Sequence, residues 1–330
     1  MFQQDSEIGA LTAGGPFGYP PHSKYEKLIS LAKEVPPATI VVVHPCDESS
    51  LRGACEAAEL DIVKPILVGP VDKITAVAKQ HGIDVARCEL VDVPHSDEAA
   101  AKGVELIRQG KGELLMKGSL HTDELMRAVT SGTTGLRTAR RITHVFIMDV
   151  PTHLDTLFIT DAAINIFPDL DAKRDIVQNA VDLYRQIGLG TPRVGILSAV
   201  ETVTPKIPST IDAAALCKMA DRGQITGGVL DGPLAFDNAI SPQAAEIKGI
   251  KSPVAGRAQI LVVPDLEAGN MLAKNLTFLS NADAAGIVLG ARVPIILTSR
   301  ADSVRSRMAS CGVAVLCAHA RRTHGPLPAA

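Results

Sequence analysis

Residues 252–270 read SPVAGRAQILVVPDLEAGN, and the order of residue types in this stretch decides the fold. The β-type run Gln259-Ile260-Leu261-Val262-Val263 is bracketed by two loops of small and polar residues. Pro253-Val254-Ala255-Gly256-Arg257 leads in, and Pro264-Asp265-Leu266-Glu267-Ala268-Gly269-Asn270 leads out to an apolar helical pattern. Strand, turn and helix in that order make half of a βαβ unit. Ligands of open α/β sheets sit outside the carboxyl ends of strands, so the exit loop is a candidate site. A plainer reading also fits: Asp265 or Asn270 caps the helix, and Gly269 turns the chain.

Outward from this stretch the same alternation recurs. Towards the amino end, β-branched or apolar runs at 39–43, 66–68, 89–93, 113–116 and 142–148 alternate with helical patterns at 24–34, 49–59, after 72, 97–108 and 123–130. Runs at 157–160, 193–198 and 228–230 follow, with helices over 171–187, 209–222, 241–248 and 267–279. Two short apolar runs, 286–289 and 294–298, precede a last helix from 302. Such alternation predicts βαβ units with right-handed crossovers. The expected fold class is therefore α/β: two doubly wound αβα domains with mostly parallel sheets and an interdomain cleft. At 330 residues the chain exceeds the size at which one core stops growing. The segment 149–155 reads as a crossing, placing domain 1 at 1–148 and 288–330 and domain 2 at 149–287. Residues 1–22, rich in Gly and Pro, read as a loose tail.

Composition narrows the function classes. Apolar residues make up 46% and charged residues 21%, a globular balance. A net charge of −3 and a pI near 6.3 count against nucleic acid and anionic membrane as partners. The absence of Trp and the presence of only 3 Tyr leave no base-stacking platform. Six cysteines without a Cys-x-x-Cys pair read as reduced thiols of a cytoplasmic protein. The first residues lack the basic start and continuous apolar run of a signal peptide, and no apolar run approaches about 20 residues. No Gly-x-Gly-x-x-Gly joins a strand to a helix, and no P-loop, Gly-x-Ser-x-Gly or His-Glu-x-x-His is present.

Five loops concentrate polar residues after expected strands. In Lys117-Gly118-Ser119-Leu120-His121-Thr122, backbone N–H groups, an ammonium and a helix start make an anion cradle, or else a capped turn with a solvated Lys. Thr160-Asp161-Ala162-Ala163-Ile164-Asn165 reads mainly as a domain stitch, with Asp161 and Asn165 as candidates. In Asp231-Gly232-Pro233-Leu234-Ala235-Phe236-Asp237-Asn238, Gly-Pro admits a ligand, while Asp237 and Asn238 cap a helix or face the cleft. The fourth is the opening stretch, with Arg257 before its strand and Asp265, Glu267, Gly269 and Asn270 after it. In Thr298-Ser299-Arg300-Ala301-Asp302-Ser303, either Asp302 or Ser303 caps the next helix with Arg300 solvated, or the Arg fork holds a phosphate while Ser299 or Asp302 handles a hydrogen bond or proton. Arg137, Arg140 and Arg141 form a basic cluster that reads first as a solvated loop and second as a contact for a ligand's phosphates.

Together, KGSLHT (117–122), ITDAAINI (159–166), DGPLAFDNAI (231–240), SPVAGRA (252–258), PDLEAGN (264–270) and LTSRADS (297–303) resemble the phosphate acetyl/butyryltransferase family. The likeness spans about residues 24–318, and within the family it is similar to the transferase part of bifunctional enoyl-CoA hydratase/phosphate acetyltransferases. The resemblance implies reversible acyl-CoA + phosphate ⇌ acyl phosphate + CoA with a short acyl group, acetyl or butyryl, and no metal or redox cofactor. It also implies a homodimer with the active site between two αβα domains. Ser299 and Arg300 match a Ser-Arg pair of the acetyl-specific branch. That branch has an acidic residue seven positions after the Ser, where this chain has Ser306; Asp302, three after Ser299, matches butyryl-type relatives.

The chemistry sets roles for these residues. Arg300 and the Lys117-Gly118-Ser119 cradle hold phosphate and the developing oxyanion, Ser299 bonds the reacting sulfur or carbonyl, and Asp302 takes the thiol proton. Orientation alone can supply about 7–11 kcal/mol of the barrier, so no covalent intermediate is required. Two other functions compete with this one. One is a metal- and NAD-dependent decarboxylating dehydrogenase of similar architecture, and the other a catalytically silent CoA- or acyl-phosphate-binding protein.

Overall fold

The expected βαβ alternation is present in a computed structural model that describes residues 23–297 and 303–325. The tail 1–22 lies outside the described residues. The chain begins with α1 (Ser23–Lys33), β1 (Ala38–Val43), α2 (Glu48–Glu59), β2 (Val63–Gly69), α3 (Val71–His81), β3 (Glu89–Asp92), α4 (Ser96–Arg108), β4 (Leu114–Lys117) and α5 (Thr122–Thr130). Next come β5 (Thr143–Asp149), β6 (Leu157–Thr160), α6 (Leu170–Gln186), β7 (Arg193–Leu197), α7 (Pro208–Asp221), β8 (Val229–Leu234), α8 (Phe236–Ile240) and α9 (Pro242–Ile247). The chain ends with β9 (Ile260–Val262), α10 (Leu266–Leu279), β10 (Asp283–Leu289), β11 (Ile295–Ile296) and α11 (Val304–His324).

Aspartates written into the sequence start several of these helices. Asp47 accepts the Ser50 N–H at 2.7 Å, Asp169 the Ala172 N–H at 2.8 Å and Asp265 the Ala268 N–H at 2.9 Å. Asp149, fully buried, receives the Lys24 ammonium at 2.7 Å and the backbone N–H groups of Lys24 and Tyr25, which pins the start of α1 to β5.

The strands form one sheet in the order β3-β2-β1-β4-β11-β10-β5-β6-β9-β7-β8. Pairings are parallel except at β11–β10, β10–β5 and β5–β6. The final strand, β11, returns to pair beside β4. The parallel class is thus borne out, with an antiparallel joint that composition did not reveal. Asp231, Gly232 and Pro233, expected in a loop, are strand residues of β8. An edge strand tolerates Pro because its outer N–H side needs no ladder partner.

Alternate residues of each strand go to opposite faces. Ile40, Val42, Val145, Ile147, Phe158, Ile260 and Val262 join a cluster with α1, α2, α6, α7 and α11 that runs across both halves. On the other face the apolar residues split in two. Val41, Val43 and Leu115 pack with α4 and α5, whereas Met148, Ile159, Leu261 and Val263 pack with α8, α9 and α10. The break between these two clusters lies over the β10–β5 joint.

Phe158 sits at the centre of the shared cluster, fully buried and edge-on to Tyr184 with ring centroids 5.1 Å apart. Phe158→Ala is expected to lower the unfolding free energy by about 3–5 kcal/mol in urea titrations, the usual cost of an emptied aromatic core site. A loss below about 1 kcal/mol would place Phe158 outside the core that joins the halves.

Candidate functional site

β4 ends at Lys117, flanked by β1 and β11, and the loop that follows is sewn to the loop after β1. The Gly118 N–H donates to Val43 O at 2.8 Å and the Ser119 N–H to His44 O at 2.9 Å. A Cβ at Gly118 would lie 2.4 Å from Val43 O and 2.5 Å from His44 O, so only glycine fits. The Ser119 hydroxyl donates to His44 O at 2.8 Å, accepts from the Cys46 N–H at 3.3 Å and faces His44 Nδ1 at 2.9 Å. With its one proton spent on the carbonyl, the hydroxyl accepts from His44 Nδ1–H, a tautomer that leaves Nε2 with the lone pair. Burial, and secondarily the Lys73 charge, hold the His44 imidazole below its ordinary pKa, so it is neutral at pH 7. Sequence reading passed over His44, Cys46 and Asp47. The available signal was a His-Pro-Cys-Asp run directly after a β-branched strand.

Lys117 does not extend into solvent. It is buried, and its ammonium donates to Gly118 O and Leu120 O, both at 3.1 Å, which tightens the loop around itself. His121 and Thr122 are exposed at the start of α5, where Asp123 and Glu124 follow.

The start of α11 is the second element on this side. Ser303 accepts the Ser306 N–H at 3.0 Å and donates to the Ser306 hydroxyl at 3.1 Å. Ser306, standing where an acid was sought, therefore completes a helix cap. Arg307 is fully buried, its chain against Gly53. Burial opposes ionisation of Asp47, but hydrogen bonds from Ser50 and Ser49 and the Arg307 charge hold its carboxyl below the usual range. Ser299, Arg300 and Asp302 lie outside the described residues.

The second half's candidates form two groups. Asp161, buried, accepts the N–H groups of Ala163, Ile164 and Asn165 and the Asn165 amide at 2.6 Å, while Asn165 accepts Arg141 Nε at 2.6 Å. The loop after β9 locks onto this one. Gly269 leaves an added Cβ only 2.8 Å from Ala162 Cβ, and the Asn270 amide donates to Ala162 O at 3.3 Å. Asp265 caps α10 and Glu267 is exposed. Ile164 reaches the first half's cluster, so this pair of loops spans the break. In the other group, Asn238 is buried, its side-chain amide donating to Glu201 and its backbone carbonyl accepting the Gly256 N–H at 2.7 Å. Asp231 bonds the Gly232 N–H at 2.9 Å, a Cβ at Gly232 would meet Ile196 O at 2.7 Å, and Pro233 is buried in the edge strand. Asp237 and Arg257 are exposed.

Beneath the break, His144 of β5 is 2% exposed and stacks edge-on against Phe146. Its Nε2 faces Gly286 of β10, where a Cβ would approach to 2.9 Å. No hydrogen bond among the described residues reaches Nδ1. Burial drives the His144 pKa down to about 4, against the opposing pull of Asp161.

Comparison with known proteins follows from this arrangement. A family model described as Phosphate acetyl/butaryl transferase matches residues 94–315. A phosphate acetyltransferase of Rhizobium meliloti is 74% identical over 300 residues, covering 91% of this chain and 95% of that one. A phosphate butyryltransferase of Clostridium acetobutylicum is 42% identical over 287 residues, 87% of this chain and 95% of that one. A solved branched-chain phosphotransacylase from Enterococcus faecalis V583 superposes with a TM-score of 0.75 at 28% identity, over 86% of this chain and 99% of that one.

The His144 environment has a consequence for stability. A histidine whose folded pKa is depressed gives the unfolded chain the higher proton affinity. Stability is therefore full above about pH 6.5 and falls as pH drops towards about 4, by about 3 kcal/mol at most. Thermal unfolding followed against pH should show this fall, and His144→Gln should flatten it. An unchanged acid slope in the variant would remove His144 as the cause.

Proposed function

The chain belongs to the phosphate acetyl/butyryltransferase family, and on that premise we propose that it transfers a short acyl group reversibly between CoA and inorganic phosphate. The near full-length identity to a phosphate acetyltransferase carries this reading. In the acyl phosphate direction, a phosphate oxygen attacks the thioester carbonyl. The C–O bond forms, the C–S bond breaks, and the CoA thiolate leaves to take a proton. CoA, phosphate and acyl phosphate balance the equation, so we propose no metal or redox cofactor.

Arg300 holds phosphate and the developing oxyanion beside the loop at Gly118 and Ser119, whose own N–H groups and hydroxyl are spent on Val43 O and His44 O and which the Lys117 ammonium keeps in shape. Ser299 bonds the sulfur or carbonyl. Asp302 handles the thiol proton, with the neutral His44 a described base in direct contact with Ser119. Transfer is direct. Burial raises the thiol of Cys46, beside Ser119, to about 11 and those of Cys217, Cys311 and Cys317 to about 12, which makes them poor nucleophiles at neutral pH. Cys88 is held lower by its 3.8 Å contact with Cys55, but it precedes the edge strand β3, away from the Lys117 loop.

The domain division at 1–148 with 288–330 and 149–287, with a cleft over the β10–β5 joint, belongs to the same proposal. The split of apolar clusters on that face supports it. We also propose a homodimer. Met271, Phe278 and Leu279 of α10, with Ile166 and Phe167 beside its start, leave large apolar side chains exposed, Phe278 to 77% and Phe167 to 78%. No described helix is long and apolar enough to cross a membrane. Six unpaired cysteines support a cytoplasmic location.

The test is acyl phosphate formation from acetyl-CoA and from butyryl-CoA with phosphate, with and without chelator and NAD. Turnover independent of both additives is expected. Absence of thioester consumption would favour a silent binding protein, and NAD-dependent turnover a dehydrogenase. Arg300→Ala should cost about 10²–10³ in kcat or a comparable rise in phosphate KM, the usual cost of removing one oxyanion donor. Unchanged constants would take Arg300 out of this role.

A further inference from the structure

The basic segment at 137–141 divides: Arg141 turns to Asn165 of the candidate loops, while Arg140 turns to α6, forming an ion pair with Asp182 at 2.9 Å and a hydrogen bond to Asn179 Oδ1 at 3.1 Å. Beside Arg140 is a pocket of about 460 Å³, within the range of small-molecule sites. Its walls are α6, the end of α11 and the turn after β10. Both helices belong to the face whose apolar cluster is continuous, so the pocket opens on the opposite side of the sheet from the break. Arg321 lies 14 residues beyond Arg307 on α11, roughly 21 Å along the axis at about 1.5 Å per residue.

Charge is what distinguishes this pocket. Three guanidinium groups, of Arg140, Arg292 and Arg321, line it with one carboxylate, Asp182. That carboxylate is already committed, one oxygen to Arg140 and the other to the Gln178 amide at 2.8 Å. Arg321 donates one N–H to Arg292 O at 2.9 Å and forms no ion pair among the described residues; nor does Arg292. Arg321 is half-buried, and burial lowers its pKa from the usual arginine value, against the opposing pull of Cys317 and Asp182. Gln186 and Thr138 add polar groups to the rim. Leaving two positive charges against a concave wall is unfavourable unless an anion or solvent compensates them. Arginine forks match the oxygens of phosphate and carboxylate two at a time.

We propose that the pocket between α6 and α11 binds a small organic dianion through Arg292 and Arg321, with a phosphate monoester as the matching class. Two charges on the ligand equal the excess of three arginines over one aspartate in the lining, and the volume leaves room for an organic body against Leu289, Gly290 and Ala291. The site is separate from acyl transfer and stands or falls independently of it.

The test is isothermal titration calorimetry of the full-length protein with glycerol 3-phosphate, and with malonate to separate phosphate from carboxylate recognition. Arg321→Gln and the exposed Arg292→Gln are each expected to weaken glycerol 3-phosphate binding by about tenfold or more, as loss of one charged partner does. Neither should move the phosphate KM of acyl transfer beyond about twofold. Circular dichroism melts of the unliganded variants show whether they fold, and Arg292→Gln carries the test if Arg321→Gln does not. Affinity unchanged in Arg292→Gln, no binding at millimolar probe, or binding of malonate alone would overturn the proposal.

Discussion

The antiparallel ladder of β5 on β10 is the constraint on which the rest depends. Its seven registered pairs, Asp149 opposite Asp283 through to Leu289 opposite Thr143, hold the two halves in one sheet. The two sides run in opposite senses as a result. β1, β2, β4 and β11 are parallel to one another, while β6, β9, β7 and β8 are parallel to one another across the joint. One face is covered by a shared apolar layer that includes α11 and α6, so the halves cannot separate without exposing it. The other face has helices only to either side of the joint. On that face the apolar clusters stop on either side of the ladder, so the joint and the gap between the clusters coincide.

The chemistry proposed at this opening follows from what its neighbours do to charge. Gly118 lets one loop touch the backbone of another, and the Ser119 hydroxyl bonds three atoms of the β1 loop, so the two loops are held in one shape. Burial keeps His44 neutral and Cys46 protonated. A neutral base beside a protonated thiol suits proton handling without a thiolate nucleophile.

Much of this was legible in the sequence. The alternation of β-branched runs with amphipathic segments placed nearly every strand and helix, because burial on both sides of a parallel sheet writes itself as continuous apolar runs. Asp265 was legible as a helix cap, whereas Asp47 and Asp169, which cap in the same way, were passed over. Strand direction did not, since residues 143–149 and 283–289 look alike whichever way they pair. Asp231-Gly232-Pro233 read as a loop because Gly and Pro usually break strands, and only its place at the sheet edge explains it. The opening stretch 252–270 proved structural in most of its parts. Asp265 caps, Gly269 permits close packing on Ala162, and Asn270 ties the two loops together. His44 had only its place after a β-branched strand to mark it, because its contact is with Ser119, 75 residues away. The roles proposed for Ser299, Arg300 and Asp302 rest on sequence alone, since these residues lie outside the described ones.

Direct transfer between CoA and phosphate is the central claim, and isotope exchange tests it most directly. Labelled CoA is incubated with the enzyme and acetyl-CoA in the absence of phosphate, and label entering acetyl-CoA is followed. Direct transfer requires both acceptors on the enzyme, so the expected result is no exchange above background. Exchange at a rate comparable with acyl phosphate formation would reveal an acyl-enzyme and contradict the account.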